Sequence, residues 1–65
     1  MAQLTKQELN VVRVLLLDEE NLIRHFTACA HTAQDPQLRT FFEQIAARHR
    51  LHWDSLAALL KTGEG

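Results

Sequence analysis

Three side chains of metal-ligand type occupy positions where the pattern of the sequence calls for apolar residues. His49 and His52 are three residues apart in the second half of the chain, and Glu19 lies in the first half. On a helix, residues three apart share a face, with Cβ atoms about 5 to 6 Å from each other. Two histidines and one carboxylate form a ligand group that binds iron and other first-row metals. We therefore treat Glu19, His49 and His52 as a candidate metal site.

The apolar residues around these ligands repeat with the period of an α-helix. In the first half Glu19 lies at the centre of an apolar stripe made of Leu9, Val12, Leu16, Ile23, Phe26 and Ala30. In the second half His49 and His52 project into the middle of a stripe made of Leu38, Phe41, Phe42, Ile45, Leu56, Leu59 and Leu60. A polar group buried without a partner costs about 1 to 3 kcal/mol. The three side chains must therefore be hydrogen-bonded, bound to a metal or placed beside a wet cavity.

Local signals divide the chain into two helices within a single domain, residues 1–65. Thr5 and Glu8 have the spacing of a capping box, so the first helix is predicted over about residues 5–33. Asp35 is a suitable N-cap and Pro36 a suitable first helical residue, which predicts a second helix over about residues 36–61. The intervening loop is short. The chain is therefore predicted to be all-α, as an antiparallel helical hairpin.

A turn centred near Gln34 would place Glu19 level with His49, because the two residues are equally distant from it. Two helices cannot enclose a core, so we expect the hairpin to dimerise into a four-helix bundle with two glutamates and four histidines around its axis. Residues 11–17 are apolar on nearly all sides, which leaves a tetramer open as well.

Composition excludes several classes of partner. The 65 residues carry a net charge of −1, and acidic and basic residues alternate along both halves of the chain. This pattern argues against nucleic acid or an anionic membrane as partner. The chain shows no signal-peptide pattern and no apolar segment long enough to cross a bilayer, so a cytoplasmic protein is expected. Cys29 is the single cysteine, and an intrachain disulfide is therefore impossible.

The second helix resembles that of ferritin-like proteins of the rubrerythrin kind. Those proteins carry Glu-x-x-His after an Ile-Ala segment, and this chain reads Ile45-Ala46-x-x-His49-x-x-His52. In the first helix, Leu15-Leu16-x-x-Glu19 with Phe26 seven residues later resembles a ligand glutamate followed by an aromatic residue, usually tyrosine.

Among ferritin-like hairpins the chain is similar to the spore coat protein F type, over residues 9–60. That type has a Leu-Leu-x-x-Glu helix, a second helix that begins at proline and carries Leu-Arg, and a segment like His-x-x-His. The resemblance implies a ferritin-like four-helix bundle, metal binding by Glu19, His49 and His52, and a spore association.

Two departures from the ferritin-like pattern bear on activity. His49 stands where the family has the glutamate of Glu-x-x-His, and Phe26 stands where it has tyrosine. A dimer would therefore supply two carboxylates instead of four, whereas oxidative di-iron chemistry depends on bridging carboxylates. Iron and zinc are the ions we expect first, and nitrogen-rich ligation also suits nickel and copper. Metal binding is predicted and catalysis is not; an enzyme would be an iron-dependent oxidoreductase.

The alternative is a structural or assembly module like a spore coat component. In that interpretation the buried polar cluster sets helix register and dimer partner without any metal. A helix-turn-helix DNA reader fits poorly, because the helices are too long and no basic recognition face is present.

The remaining residues with reactive side chains have plainer interpretations. His25 is predicted to be a surface residue, and His31 suits the negative end of the first helix. Cys29 is read as a small apolar residue, because no base lies obviously beside it. Trp53 is predicted at the edge of the stripe as interface packing, and Arg48 and Arg50 as surface charges able to pair with Glu43 or Asp54.

Overall fold

The computed structural model describes residues 3–63 as two α-helices joined by a short loop, with no strand in that range. Helix α1 spans Lys6–Thr32 and helix α2 spans Pro36–Gly63. The predicted helix ends lie within two residues of the observed ones. The all-α prediction is confirmed for the described residues.

The capping box at the start of α1 is confirmed. The Thr5 hydroxyl accepts a hydrogen bond from the Glu8 amide at 3.1 Å, and Oε1 of Glu8 accepts one from the Thr5 amide at 2.8 Å. These reciprocal bonds satisfy amides that the first turn of a helix otherwise leaves without partners. The sequence signal at this end is local, and it therefore acts without any tertiary contact.

Two residues organise the loop between the helices. A carboxylate oxygen of Asp35 accepts a hydrogen bond from the Gln37 amide at 3.0 Å, so Asp35 caps α2 as predicted. The Arg39 guanidinium donates to the carbonyl oxygen of Ala33 from Nε at 3.3 Å and from Nη2 at 2.9 Å. Arg39 thereby ties the first turn of α2 to the end of α1, which holds the reversal of the chain.

Side-chain pairs across the helices establish that they run antiparallel. Glu19 of α1 bonds to His49 of α2, and the Phe26 ring lies 6.1 Å from the Phe42 ring, centroid to centroid. A later residue of α1 thus meets an earlier residue of α2. The hairpin, and the predicted level pairing of Glu19 with His49, are both observed.

The hairpin is long and thin, with principal extents of 46 × 17 × 10 Å. Within the described part of the chain only Val12, Ala30 and Ala46 are apolar and buried. Neither helix, over residues 3–63, is long and apolar enough to span a membrane. The two helices therefore make a layer with one narrow line of contact, and Glu19 and His49 of the candidate metal ligands lie on that line.

Candidate metal centre

The line of contact between the helices follows alternating steps of four and three residues, the spacing of a coiled coil. We call this set of positions the seam. Every seam residue is buried or half-buried in the hairpin. On α1 they are Val12, Leu16, Glu19, Ile23, Phe26 and Ala30, and on α2 they are Phe42, Ala46, His49, Trp53, Leu56 and Leu60. Glu19 and His49 thus occupy positions that face the other helix because of helical geometry alone.

A short hydrogen bond joins these two residues across the seam. Nδ1 of His49 lies 2.6 Å from Oε2 of Glu19, and the two side chains are 20% and 17% exposed. Because an ionised carboxylate only accepts hydrogen bonds, the shared proton is assigned to Nδ1 of His49. The carboxylate that interrupts the apolar stripe of α1 is therefore satisfied by the imidazole that interrupts the stripe of α2.

His52 reaches the same carboxylate from the other side. Its Nδ1 lies 3.4 Å from Oε1 of Glu19, and its ring is 5.5 Å from the His49 ring in an edge-on arrangement. The side chain of His52 is nevertheless 59% exposed. The prediction that His52 lies in the middle of a buried stripe is wrong for this hairpin, because the seam passes through His49 and leaves His52 beside it.

The Phe26 ring fixes the orientation of His49. The two rings are stacked, with centroids 5.8 Å apart and planes inclined by 13°. The Phe42 ring also packs against Phe26, with centroids 6.1 Å apart. Stacking restricts rotation of the imidazole about its side-chain bonds. The sequence singled out Phe26 only as an aromatic residue seven positions after Glu19, and its role as a platform for His49 emerges from the tertiary structure.

The cluster formed by Glu19, His49 and His52, one potential ligand atom from each, fits within 4.8 Å. Ligands of a tetrahedral zinc ion, at about 2.0 to 2.2 Å from the metal, are about 3.3 Å from one another. The 3.4 Å separation between His52 and Glu19 already has that value. The 2.6 Å bond between His49 and Glu19, which uses the other carboxylate oxygen, would have to lose its proton and open by about 0.7 Å. The donor types are those that first-row divalent ions bind, and separations as wide as 4.8 Å would have to shorten towards about 3.3 Å for one ion to reach all three atoms.

Trp53 belongs to the seam, and its predicted place at the edge of the stripe is wrong. Its indole Nε1 donates a hydrogen bond to Oε1 of Glu20 at 3.3 Å, and both residues are half-buried. The spacing of seven residues from Ala46 to Trp53 and from Trp53 to Leu60 is the signal that could have placed Trp53 in the seam. This second cross-helix bond was not anticipated from the sequence.

The hairpin has two unlike faces on either side of the seam. Glu20 and Trp53 line a depression on one side together with Arg50, which also borders Thr27 and Glu43, and we call this side the polar face. His52 projects to the opposite side. There the helical period also places five large apolar residues that are 37% to 56% exposed, and we call this side the apolar face: Val11, Leu15, Leu22, Leu38 and Phe41.

The other candidate residues lie apart from the cluster. His25 and His31 are exposed, as predicted for surface histidines, although the His25 ring touches Phe26 edge-on. Cys29 is a half-buried free thiol. Across residues 3–63, Glu19, His49 and His52 are the one group of three or more side chains placed to share a metal ion.

The likeness to ferritin-like hairpins rests on the residues quoted above and stays a prediction. The chain matches no family model, and it has no match among curated proteins or solved structures.

Proposed function

We propose that the chain is one half of a metal-binding four-helix bundle, in which Glu19, His49 and His52 hold a transition metal ion at the core of a homodimer. One observation carries the proposal: three ligand atoms from two helices converge within 4.8 Å at the midpoint of the hairpin. Burying two imidazoles and one carboxylate among apolar residues costs desolvation free energy. Coordination of a metal ion would offset that cost.

The donor set favours iron(II) or zinc(II), with nickel and copper as further candidates. One carboxylate and two neutral imidazoles are ligands of intermediate softness, which is the type these ions select. Redox or Lewis-acid chemistry would come from such an ion if substrate could reach it. The cluster holds a single carboxylate, so bridged di-iron chemistry has little support, and we propose binding without assigning a reaction.

Surface area supports a second copy as partner. The chain exposes 5019 Å², whereas a compact monomer of its mass exposes about 4,250 Å². The excess reflects the thin shape of a two-helix layer, whose apolar side chains have no second layer to cover them. The apolar face, with Leu15 and Leu22 beside the cluster, is the surface that such a partner would cover. A dimer, or a tetramer built from it, would supply the core that one hairpin lacks.

One observation favours the alternative of an assembly module without metal. The 2.6 Å bond between His49 and Glu19 satisfies both side chains with no ion present. A hydrogen-bonded cluster of this kind can set register and partner choice in a bundle. The spore-coat-like resemblance of the sequence is compatible with such a structural role.

Metal content separates the two functions. Untagged protein is incubated with Fe(II), Zn(II) or Mn(II), desalted and measured by inductively coupled plasma mass spectrometry. Bound metal in the parent, lost in the His49→Ala, His52→Ala variant, is the expected result. The matched control is the His25→Ala, His31→Ala variant, which loses the same number of imidazoles at exposed positions and should keep its metal. Absence of metal from the parent under all three conditions would leave the assembly module as the function.

A further inference from the structure

We propose that binding of a divalent cation to the cluster promotes pairing of two chains through the apolar face, so that the chain acts as a metal-dependent dimerisation module. This inference rests on the proposed function and adds regulation to it. Metal would then determine whether the hairpin is paired, in addition to occupying a site within it.

The cluster and the apolar face share one surface. His52 is 59% exposed and projects to the side that carries Leu15 and Leu22, while Glu19 and His49 lie directly beneath it in the seam. Leu15 and Leu22 are four residues before and three residues after Glu19, so they flank it on one side of α1. A partner that covers these leucines must also cover the cluster. Metal binding and pairing therefore cannot be independent events.

Pairing without metal carries an electrostatic cost. Two copies related by a two-fold axis would bring two Glu19 carboxylates into one bundle core and remove water from both His52 rings. Like charges repel strongly where water is excluded, and an imperfectly paired charge is costly to bury. One divalent cation carries the charge that balances two carboxylates. Metal therefore removes a repulsion between two Glu19 carboxylates, which exists in the dimer and not in the single hairpin.

The number of ligands that the ion requires also favours the dimer. A single chain offers three ligand atoms, whereas zinc takes four and iron(II) commonly more. A second copy brings the same three ligand types to the same apolar surroundings, so it can complete the coordination shell. An ion that gains ligands in the dimer binds it more tightly than it binds the monomer. Mass action then requires that the metal shift the population towards the dimer.

The partner argued for is a second copy because the same surface would supply both apolar area and missing ligands. A different protein would need its own ligand residues opposite His52. The exposed large apolar residues on this face, among them Leu15 and Leu22, give such a partner apolar area to cover. A heterologous partner is then an outcome that the experiment can reveal, since the chain alone would stay monomeric with metal bound.

Sedimentation equilibrium of the untagged chain, with EDTA and with equimolar Zn(II), tests the inference. We expect the dimer dissociation constant to fall at least about tenfold with zinc, in the usual range of coupling between linked sites. The His25→Ala, His31→Ala control should show the same shift. The Leu15→Ser, Leu22→Ser variant alters only the apolar face; it should remain monomeric and bind zinc more weakly by a comparable factor, because linkage is reciprocal.

Isothermal titration calorimetry of the same samples with zinc distinguishes the two ways of failing. Zinc that binds the parent while the dissociation constant of the dimer stays the same would overturn metal-dependent pairing and leave the metal site intact. Zinc that does not bind at all would overturn the proposed function and this inference together. A parent that stays monomeric with zinc bound would also overturn the pairing, and it would point to a different partner for the apolar face.

Discussion

Nδ1 of His49 lies 2.6 Å from Oε2 of Glu19, although the two residues are 30 positions apart in the chain. The bond joins the two helices near their midpoints and satisfies the two polar side chains that interrupt the apolar seam. It also brings His52 within 3.4 Å of the second carboxylate oxygen. One carboxylate thus organises both imidazoles.

Glu19→Ala should lower the free energy of unfolding by about 1 to 2 kcal/mol in the presence of EDTA, because it leaves the half-buried His49 ring without its acceptor. Urea denaturation followed by Trp53 fluorescence measures the change. Asp18→Ala is the matched control, since Asp18 is an exposed carboxylate one position away. The control should change stability by less than about 0.5 kcal/mol. Equal losses in both variants would contradict a structural role for the Glu19 bond.

Phe26→Leu should lower the free energy of unfolding by about 0.5 to 1.5 kcal/mol more than the small loss of apolar area explains, because leucine cannot stack on His49. Metal affinity should fall as well, since the imidazole loses the neighbour that orients it. Urea denaturation and zinc titration provide the two measurements. Leu51→Ala serves as control because Leu51 is 66% exposed and belongs to neither the seam nor the apolar face. A normal zinc affinity in Phe26→Leu would show that ring orientation does not matter for binding.

Trp53→Phe and Glu20→Ala should be coupled, because the indole N–H of Trp53 donates to Glu20 at 3.3 Å. A double-mutant cycle should give an interaction free energy of about 0.5 to 1.5 kcal/mol, typical of a single hydrogen bond. Circular dichroism must follow unfolding in this cycle, because Trp53 is the only tryptophan. Strictly additive effects would mean that the bond contributes nothing to stability.

Thr5→Ala should lower the free energy of unfolding by about 1 kcal/mol, because it removes the side-chain acceptor of the capping box. Thermal unfolding by circular dichroism measures it, and amide exchange at Glu8 should become faster. Thr40→Ala is the control. The Thr40 hydroxyl donates to the Pro36 carbonyl inside α2, and that carbonyl still accepts its backbone hydrogen bond when the hydroxyl is removed. A loss in Thr40→Ala as large as that in Thr5→Ala would argue against the cap.

Much of the fold was predictable because its signals act over a few residues. Thr5 with Glu8, and Asp35 with Pro36, set helix starts through bonds that the structure contains. The short loop left an antiparallel hairpin as the simple solution, and counting from Gln34 paired Glu19 with His49. Dimerisation, metal binding and function remain predictions, since they depend on molecules outside this chain.

The sequence by itself determined the two helices and their caps, because hydrogen bonds within a few residues and a period of 3.6 residues encode them. The short loop added the antiparallel register, and counting from it paired Glu19 with His49. The tertiary structure decided which half of each wide apolar stripe is covered. It placed Trp53 in the seam, stacked Phe26 on His49 and left His52 exposed beside Leu15 and Leu22. The physical reason is that helical period tells where a side chain projects, whereas its burial depends on how many neighbours are present to cover it.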